Sequence, residues 1–170
     1  MTFYWKSGSD RSLEESSLLE LYNKMEEKNL LDVFFYNGDV PDVFQFTMKI
    51  LNECSSRVAW FLSAYRDRGF NDPLGFAYLN NAIGHNMLCH FCFFNLDDRE
   101  LNMRLADEFH KIVFSTGLKT LIGITPKPFR HAWKFALDVG FKKIMELPEA
   151  CYIAKHKRWV PAIITIKESD

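Results

Sequence analysis

The stretch TPKPFRHAWKFALDVGF, residues 125–141, decides how this chain is read. Two prolines stand at its start, and Phe129, Ala132, Trp133 and Ala136 then recur at helical spacing. Proline suits a first helical turn, where its missing N–H would have no partner anyway. Gly140 suits the position just past a helix end, where left-handed backbone is needed. The stretch predicts a helix closed by Gly-Phe. Immediately before it, LKTLIGIT (118–125) is apolar and β-branched and reads as a strand.

Working outward, residues 95–117 place Leu101, Leu105, Phe109, Ile112 and Val113 on one helical face. Asp97 or Asp98 can cap that helix, and Gly117 suits its C-terminal end. Upstream, residues 57–65, 73–81 and 86–94 read as three strands of an antiparallel meander. The third is apolar on both faces, so it is expected in the centre of the sheet, covered on both sides. Further upstream, Phe3 to Trp5 suggests a short strand. Ser12 and Glu15 form a capping box for a helix reaching about Leu31, and Pro41 opens a second helix through Cys54. Downstream, residues 150–154 and 159–166 read as two strands around the basic turn KHKR (155–158). The expected fold class is α/β (α+β): a mixed sheet with helices on both faces.

Composition narrows the function classes. A chain of 170 residues, 48% hydrophobic with 16 phenylalanines, is expected to form one domain (1–170) with a self-sufficient core. Its net charge of −1 gives no global reason to bind nucleic acid or an anionic membrane. No apolar run approaches the length of a membrane span. The opening MTFYWKSGSD turns polar at once, unlike a signal peptide. A reduced, cytoplasmic setting is expected, with Cys54, Cys89, Cys92 and Cys151 as core residues.

The element order over nearly the whole chain, with STGLKTLIGIT and AWKFALDVGF inside it, resembles the GCN5-related N-acetyltransferase (GNAT) superfamily. At residue level the resemblance rests on the segment from Gly117 to Phe141. It implies a mostly antiparallel central sheet whose fourth strand (86–94) and fifth (118–124) run parallel and splay apart. The implied donor is acetyl-CoA or another acyl-CoA. Its pantetheine arm would pair with backbone groups in the gap, as an added strand would. Its pyrophosphate would sit on amides at a helix start, where the dipole favours an anion. The implied contacts are Phe91, Cys92, Phe93, Phe94, Asp97, Asp98, Arg99, Glu100 and Thr125. An amide near Phe93 would polarise the thioester carbonyl. The implied partner is an amine, carried on a small molecule or a protein. Counting back from Gly117 places the phosphate loop at LDDREL (96–101), a degenerate version with no glycine and two aspartates.

Candidate proton-transfer groups follow from position. His85 and His90 flank the fourth strand, and a base there can take a proton from an amine. Tyr152 on the sixth strand and Tyr78 on the third are further proton donors. Cys89 and Cys92 form a C-x-x-C, yet no second ligand pair exists, and strand alternation points them to opposite faces. No metal site is expected. KHKR reads as a solvated cationic turn, and the aromatic runs FCFFN and FRHAWKF read as core packing, with an acyl tunnel as the other use. Two functions stand at this point. One is N-acyl transfer from acyl-CoA to an amine. The other is a catalytically inactive GNAT-fold binding or assembly module.

Overall fold

The computed structural model describes residues 3–7 and 15–169. In chain order the elements are β1 (Tyr4–Ser7), α1 (Glu15–Glu27), α2 (Leu31–Phe34), α3 (Val43–Ser55), β2 (Trp60–Tyr65), β3 (Pro73–Ile83) and β4 (Asn86–Phe93). There follow α4 (Arg99–Ser115), β5 (Thr120–Pro126), α5 (Arg130–Asp138), β6 (Lys142–Ile153) and β7 (Arg158–Glu168). The strands form one sheet in the order β1-β2-β3-β4-β5-β7-β6. Only β4 and β5 run parallel; every other neighbouring pair is antiparallel.

Both faces of the sheet are covered. On one, α1 and α3 bring Leu18, Leu21, Met25, Phe46 and Ile50 against Phe61, Phe76, Cys92 and Phe94. On the other, α4 brings Ala106, Phe109 and Val113 against Leu79, Met87, Cys89 and Leu121. The assignments of Cys89 and Cys92 to different clusters follow from strand alternation. Each fully buried phenylalanine contributes on the order of 1.5–3 kcal/mol by leaving water. Where β3 crosses β4, Gly75 has φ of 155°, and a Cβ there would lie 2.4 Å from Cys92 O. Only glycine lets the two backbones approach so closely.

The helix ends carry most of the sequence logic. Asp42 caps α3 by accepting Gln45 N–H at 2.8 Å, so Pro41 stands one residue outside the helix rather than in its first turn. Asp98 caps α4 by accepting Leu101 N–H at 2.9 Å. The end of α5 is a Schellman motif: Phe141 N–H donates to Ala136 O at 2.9 Å and Gly140 N–H to Leu137 O at 3.1 Å. Gly140 is left-handed, with φ of 92°.

Several boundaries differ from the sequence reading. Pro126 ends β5, and α5 begins only at Arg130, after a turn in which Phe129 N–H donates to Pro126 O. The second strand starts at Trp60, because Arg57 is left-handed just past α3. The third runs on through Ile83, so its turn is confined to Gly84 and His85. Beyond the first helix, Leu31–Phe34 forms a helix of its own. The sixth strand is far longer than 150–154, beginning at Lys142. Ser12 of the expected capping box lies outside the described residues.

Candidate functional site

Pairing between β4 and β5 stops early. The parallel register runs through Asn86–Thr120, Met87–Leu121 and Leu88–Ile122, and then the two strands part. β5 instead stays laddered to β7 as far as Pro126, and β4 to β3 as far as Phe93. The separation opens a cleft of about 500 Å³ between them. Phe94 N–H donates to Leu74 O on the β3 side at 3.0 Å. Alternation along a strand therefore turns the amides of Phe93 and Phe91 the other way, into the cleft. An edge of unpaired backbone groups this far inside a sheet is a template for an extended ligand.

The walls are largely aromatic. Phe91, Phe93, Phe129 and Phe135 line the cleft, together with Cys92, Gly123 and Thr125. Phe91 and Phe93 stack with ring centroids 5.5 Å apart, and Phe135 meets Phe93 edge-on at 5.5 Å. Cations lie at the helical side. Arg99 and Lys134 both line the cleft; Arg99 Nη2 pairs with Asp138 Oδ2 at 2.8 Å, whereas Lys134 has no ion pair among the described residues.

The start of α4 fits a phosphate in part. Asp98 already uses the Leu101 amide, and its carboxylate occupies the space an anion would take. The amides of Arg99 and Glu100 make no hydrogen bond within the described residues and lie at the positive end of the helix dipole.

A second cavity, of about 670 Å³, opens on the α3 side of β4. It is bounded by the loop 34–39, by Lys49, Glu53, Arg57 and Val58, and by Tyr78, Asn80, Leu88 and His90. Phe34, Tyr36 and His90 belong to the walls of both cavities. The two spaces thus meet at an imidazole.

His90 is held tightly. Its Nε2 lies 3.3 Å from Asn80 Oδ1, Phe34 meets its ring edge-on at 6.1 Å, and Tyr78 lies beside it at 5.7 Å. Burial, with Lys49 nearby, pushes its pKa down to about 4. The ring is neutral at physiological pH, so one nitrogen is a lone-pair acceptor. Tyr36 is the other titratable group at the junction. Burial raises its pKa, with the Cys151 sulfur 3.6 Å away, so its phenol keeps its proton.

The structure brings His90, Phe91, Cys92, Phe93, Arg99 and Thr125 together around the cleft. It places other sequence candidates elsewhere. Phe94 turns into the core between the sheet and α1/α3. Asp97, Asp98 and Glu100 are exposed at the start of α4 and line neither cavity. Tyr152 packs its ring on Trp159 at 5.4 Å, on the far strands of the sheet, and lines neither cavity. His85 is exposed in the β3–β4 turn, where its carbonyl accepts Lys119 N–H at 2.8 Å. Burial pushes the thiol pKa values of Cys89 and Cys92 strongly up, which keeps both thiols protonated. Phe34, Tyr36, Asn80 and Lys134 escaped the sequence reading. Phe34, Tyr36 and Lys134 reach the cavities only through tertiary structure, and Asn80 reaches His90 across the β3–β4 pairing.

No protein-family model and no curated protein matches the sequence. The fold, however, has close counterparts among solved structures. The ribosomal-protein alanine acetyltransferase of Vibrio fischeri superposes with a TM-score of 0.71 at 14% identity, covering 100% of this chain and 98% of that one. The spermidine N-acetyltransferase of Vibrio cholerae, in complex with CoA and spermine, gives 0.71 at 15% identity, covering 98% and 95%. A microcin self-immunity acetyltransferase, in complex with acetyl-CoA and AMP, gives 0.74 at 13% identity, covering 92% and 89%. At 13–15% identity over nearly the whole chain these likenesses show the fold: the chain has the fold of GNAT acetyltransferases.

Proposed function

We propose that the protein is an acyl-CoA-dependent N-acyltransferase acting on an amine. The observation that carries this reading is the meeting of two cavities at His90, one along the unpaired edges of β4 and β5, the other lined by polar side chains. The acyl-CoA would supply an activated thioester carbonyl. Its extended arm suits the backbone groups of Phe91 and Phe93, and its phosphates suit the free amides at the start of α4 with Arg99 and Lys134 beside them. The Phe93 amide, aimed into the cleft, would bind the carbonyl oxygen as negative charge develops there.

The amine would enter from the other cavity. His90, neutral and oriented by Asn80, takes the proton that the nitrogen loses as the C–N bond forms and the C–S bond breaks. Tyr36, which remains protonated, stands at the same junction to supply a proton to the departing sulfur. The acetyl-CoA and CoA complexes among the structural neighbours support this choice of donor.

The test is release of free thiol from acetyl-CoA in the presence of an amine panel. His90→Gln keeps an amide that can bond Asn80 but removes the base. A positioned general base contributes about 10²–10⁴-fold. A fall in kcat of that size, with KM for acetyl-CoA retained, is expected. Unchanged kcat would remove His90 from the chemistry. Absence of transfer with every amine, despite tight CoA binding, would favour the binding-module function.

A further inference from the structure

The cleft between β4 and β5 is charged at one end and apolar at the other. Arg99, Lys134 and Asp138 line it where α4 begins and α5 ends, and the Arg99–Asp138 ion pair at 2.8 Å joins those two helix ends. Phe129, at the opposite end of α5, lines it too. At the helical rise per residue, Phe129 and Asp138 lie about 13 Å apart along the axis of α5. Beside Phe129 the wall is completed by the turn that opens α2. Leu30, Val33 and Phe34 stand at the spacing of one helical face, with Val33 N–H and Phe34 N–H both donating to Leu30 O, at 3.1 and 2.9 Å. All three line the cleft, and Val33 is 43% exposed. Tyr36 joins the two walls, meeting Phe129 edge-on with centroids 6.0 Å apart. Asp32, the acid of α2, does not line the cleft; its carboxylate pairs with Lys155 at 2.6 Å.

The apolar end is preformed. Tyr36 O accepts Ala154 N–H at 2.8 Å, the Lys155–Asp32 pair holds the same segment to the β6–β7 connection, and Phe35 packs its ring on Phe46 in the core. It begins at His90, whose ring Phe34 meets edge-on at 6.1 Å. A donor with its phosphates at Arg99 and its thioester at His90 therefore directs its acyl group at Val33, Phe34 and Phe129. An acetyl group is too small to cover that wall, and each further methylene would leave water against it. We propose that the donor's acyl group is an aliphatic chain longer than acetyl, seated on the α2 turn and Phe129. This rests on the acyltransferase reading for where the thioester lies. Chain length leaves the transfer step itself unchanged: the thioester C–S bond breaks, the amide C–N bond forms, and the amine's proton ends on the released thiol.

The experiment titrates the full chain by calorimetry with CoA and with acetyl-, butanoyl-, hexanoyl- and octanoyl-CoA, and measures transfer from each thioester to an amine panel. Each methylene that leaves water tightens binding about fourfold, so Kd should fall about tenfold or more from acetyl- to hexanoyl-CoA. In transfer the gain should appear in KM rather than kcat. Val33→Asn places a polar amide on the wall, and Val33→Trp fills the space beside it; thermal melting confirms that each variant is folded. Val33→Asn should flatten the chain-length series, and Val33→Trp should cut it off at the shorter chains. Equal affinity across the series, affinity that falls with length, or a gain with length that survives both substitutions would overturn the proposal. So would a gain that follows the amine instead, from propylamine to hexylamine with acetyl-CoA, since the apolar end would then belong to the acceptor. A length-dependent Kd without transfer to any amine would keep the chain site and remove the acyltransferase reading. Should neither CoA nor any acyl-CoA bind, both fall.

Discussion

The end of α5 and the start of α4 are tied together by the Arg99–Asp138 ion pair beside the same cleft, yet they follow different rules. The end of α5 uses a glycine in the left-handed region, two backbone hydrogen bonds and a buried phenylalanine; Phe141 is 4% exposed. The start of α4 uses an aspartate side chain to satisfy an amide that an anionic ligand could also use. The first arrangement serves the fold, whatever the ligand. The second satisfies the helix with a carboxylate that would repel an anion. The difference shows how one helix end can be closed by the fold alone while another leaves amides that a ligand could share.

The largest expected effect breaks the first arrangement. Phe141 meets Phe91 and His110 with centroids 6.4 and 5.7 Å away. Phe141→Ala would remove a ring from a packed core and should cost about 3–5 kcal/mol in denaturant unfolding. A cost under about 1 kcal/mol would mean that this end is not a structural anchor.

A smaller effect concerns His110, packed on that same ring. It is 4% exposed, and neither ring nitrogen has a hydrogen-bond partner among the described residues. Burial, with Lys167 nearby, lowers its pKa from 6.5 to about 3. Between those values the unfolded chain binds the extra proton. The neutral ring's contribution is therefore intact above about pH 6.5 and is lost progressively as the pH falls toward 3. His110→Leu removes two unsatisfied polar atoms and should stabilise the fold by about 1–3 kcal/mol at neutral pH. The gain should widen below pH 6.5, as followed by thermal melting. A variant that melts lower, or melts in parallel with the native protein down to acid pH, would show that the ring has an unrecognised polar role.

How much of this was legible in sequence depends on whether the signal is local. Gly140-Phe141, an aspartate cap at 97 or 98 and the two-sided apolar strand around His90 are local patterns, and the structure uses each of them, with Asp98 as the cap. The strand from Lys142 was missed because residues 142–150 are exposed on both sides and carry no alternation. Pro148 and two register irregularities against β7 break the ladder there as well. Proline and lost register suit an edge strand, which β6 is. The prolines before α5 were misplaced by a few residues, since proline serves a strand end and a turn as readily as a first helical turn. In the site, His90, Phe91 and Phe93 could be found because they share one strand. Phe34 and Tyr36 lie more than fifty positions away, and only the packing of the α2 segment on β4 brings them to the junction. Tyr152 was placed by strand count alone, and the insertion of β7 between β5 and β6 carries it away from the cleft.

The smallest expected effect sharpens the second arrangement, and it belongs to the measurement that tests the central claim most directly. That measurement is calorimetric titration with CoA and with acetyl-CoA, on the native chain and on the variant carrying Asp97→Asn and Asp98→Asn. Asparagine still caps the helix but removes two charges from the positive end of its dipole. Each is worth about 0.3–1 kcal/mol. The native protein is expected to bind one CoA per chain, and the variant to bind it several-fold more tightly, with the larger gain at low salt. No heat of binding from either protein would contradict the account: the gap between β4 and β5 would then not be a site for acyl-CoA.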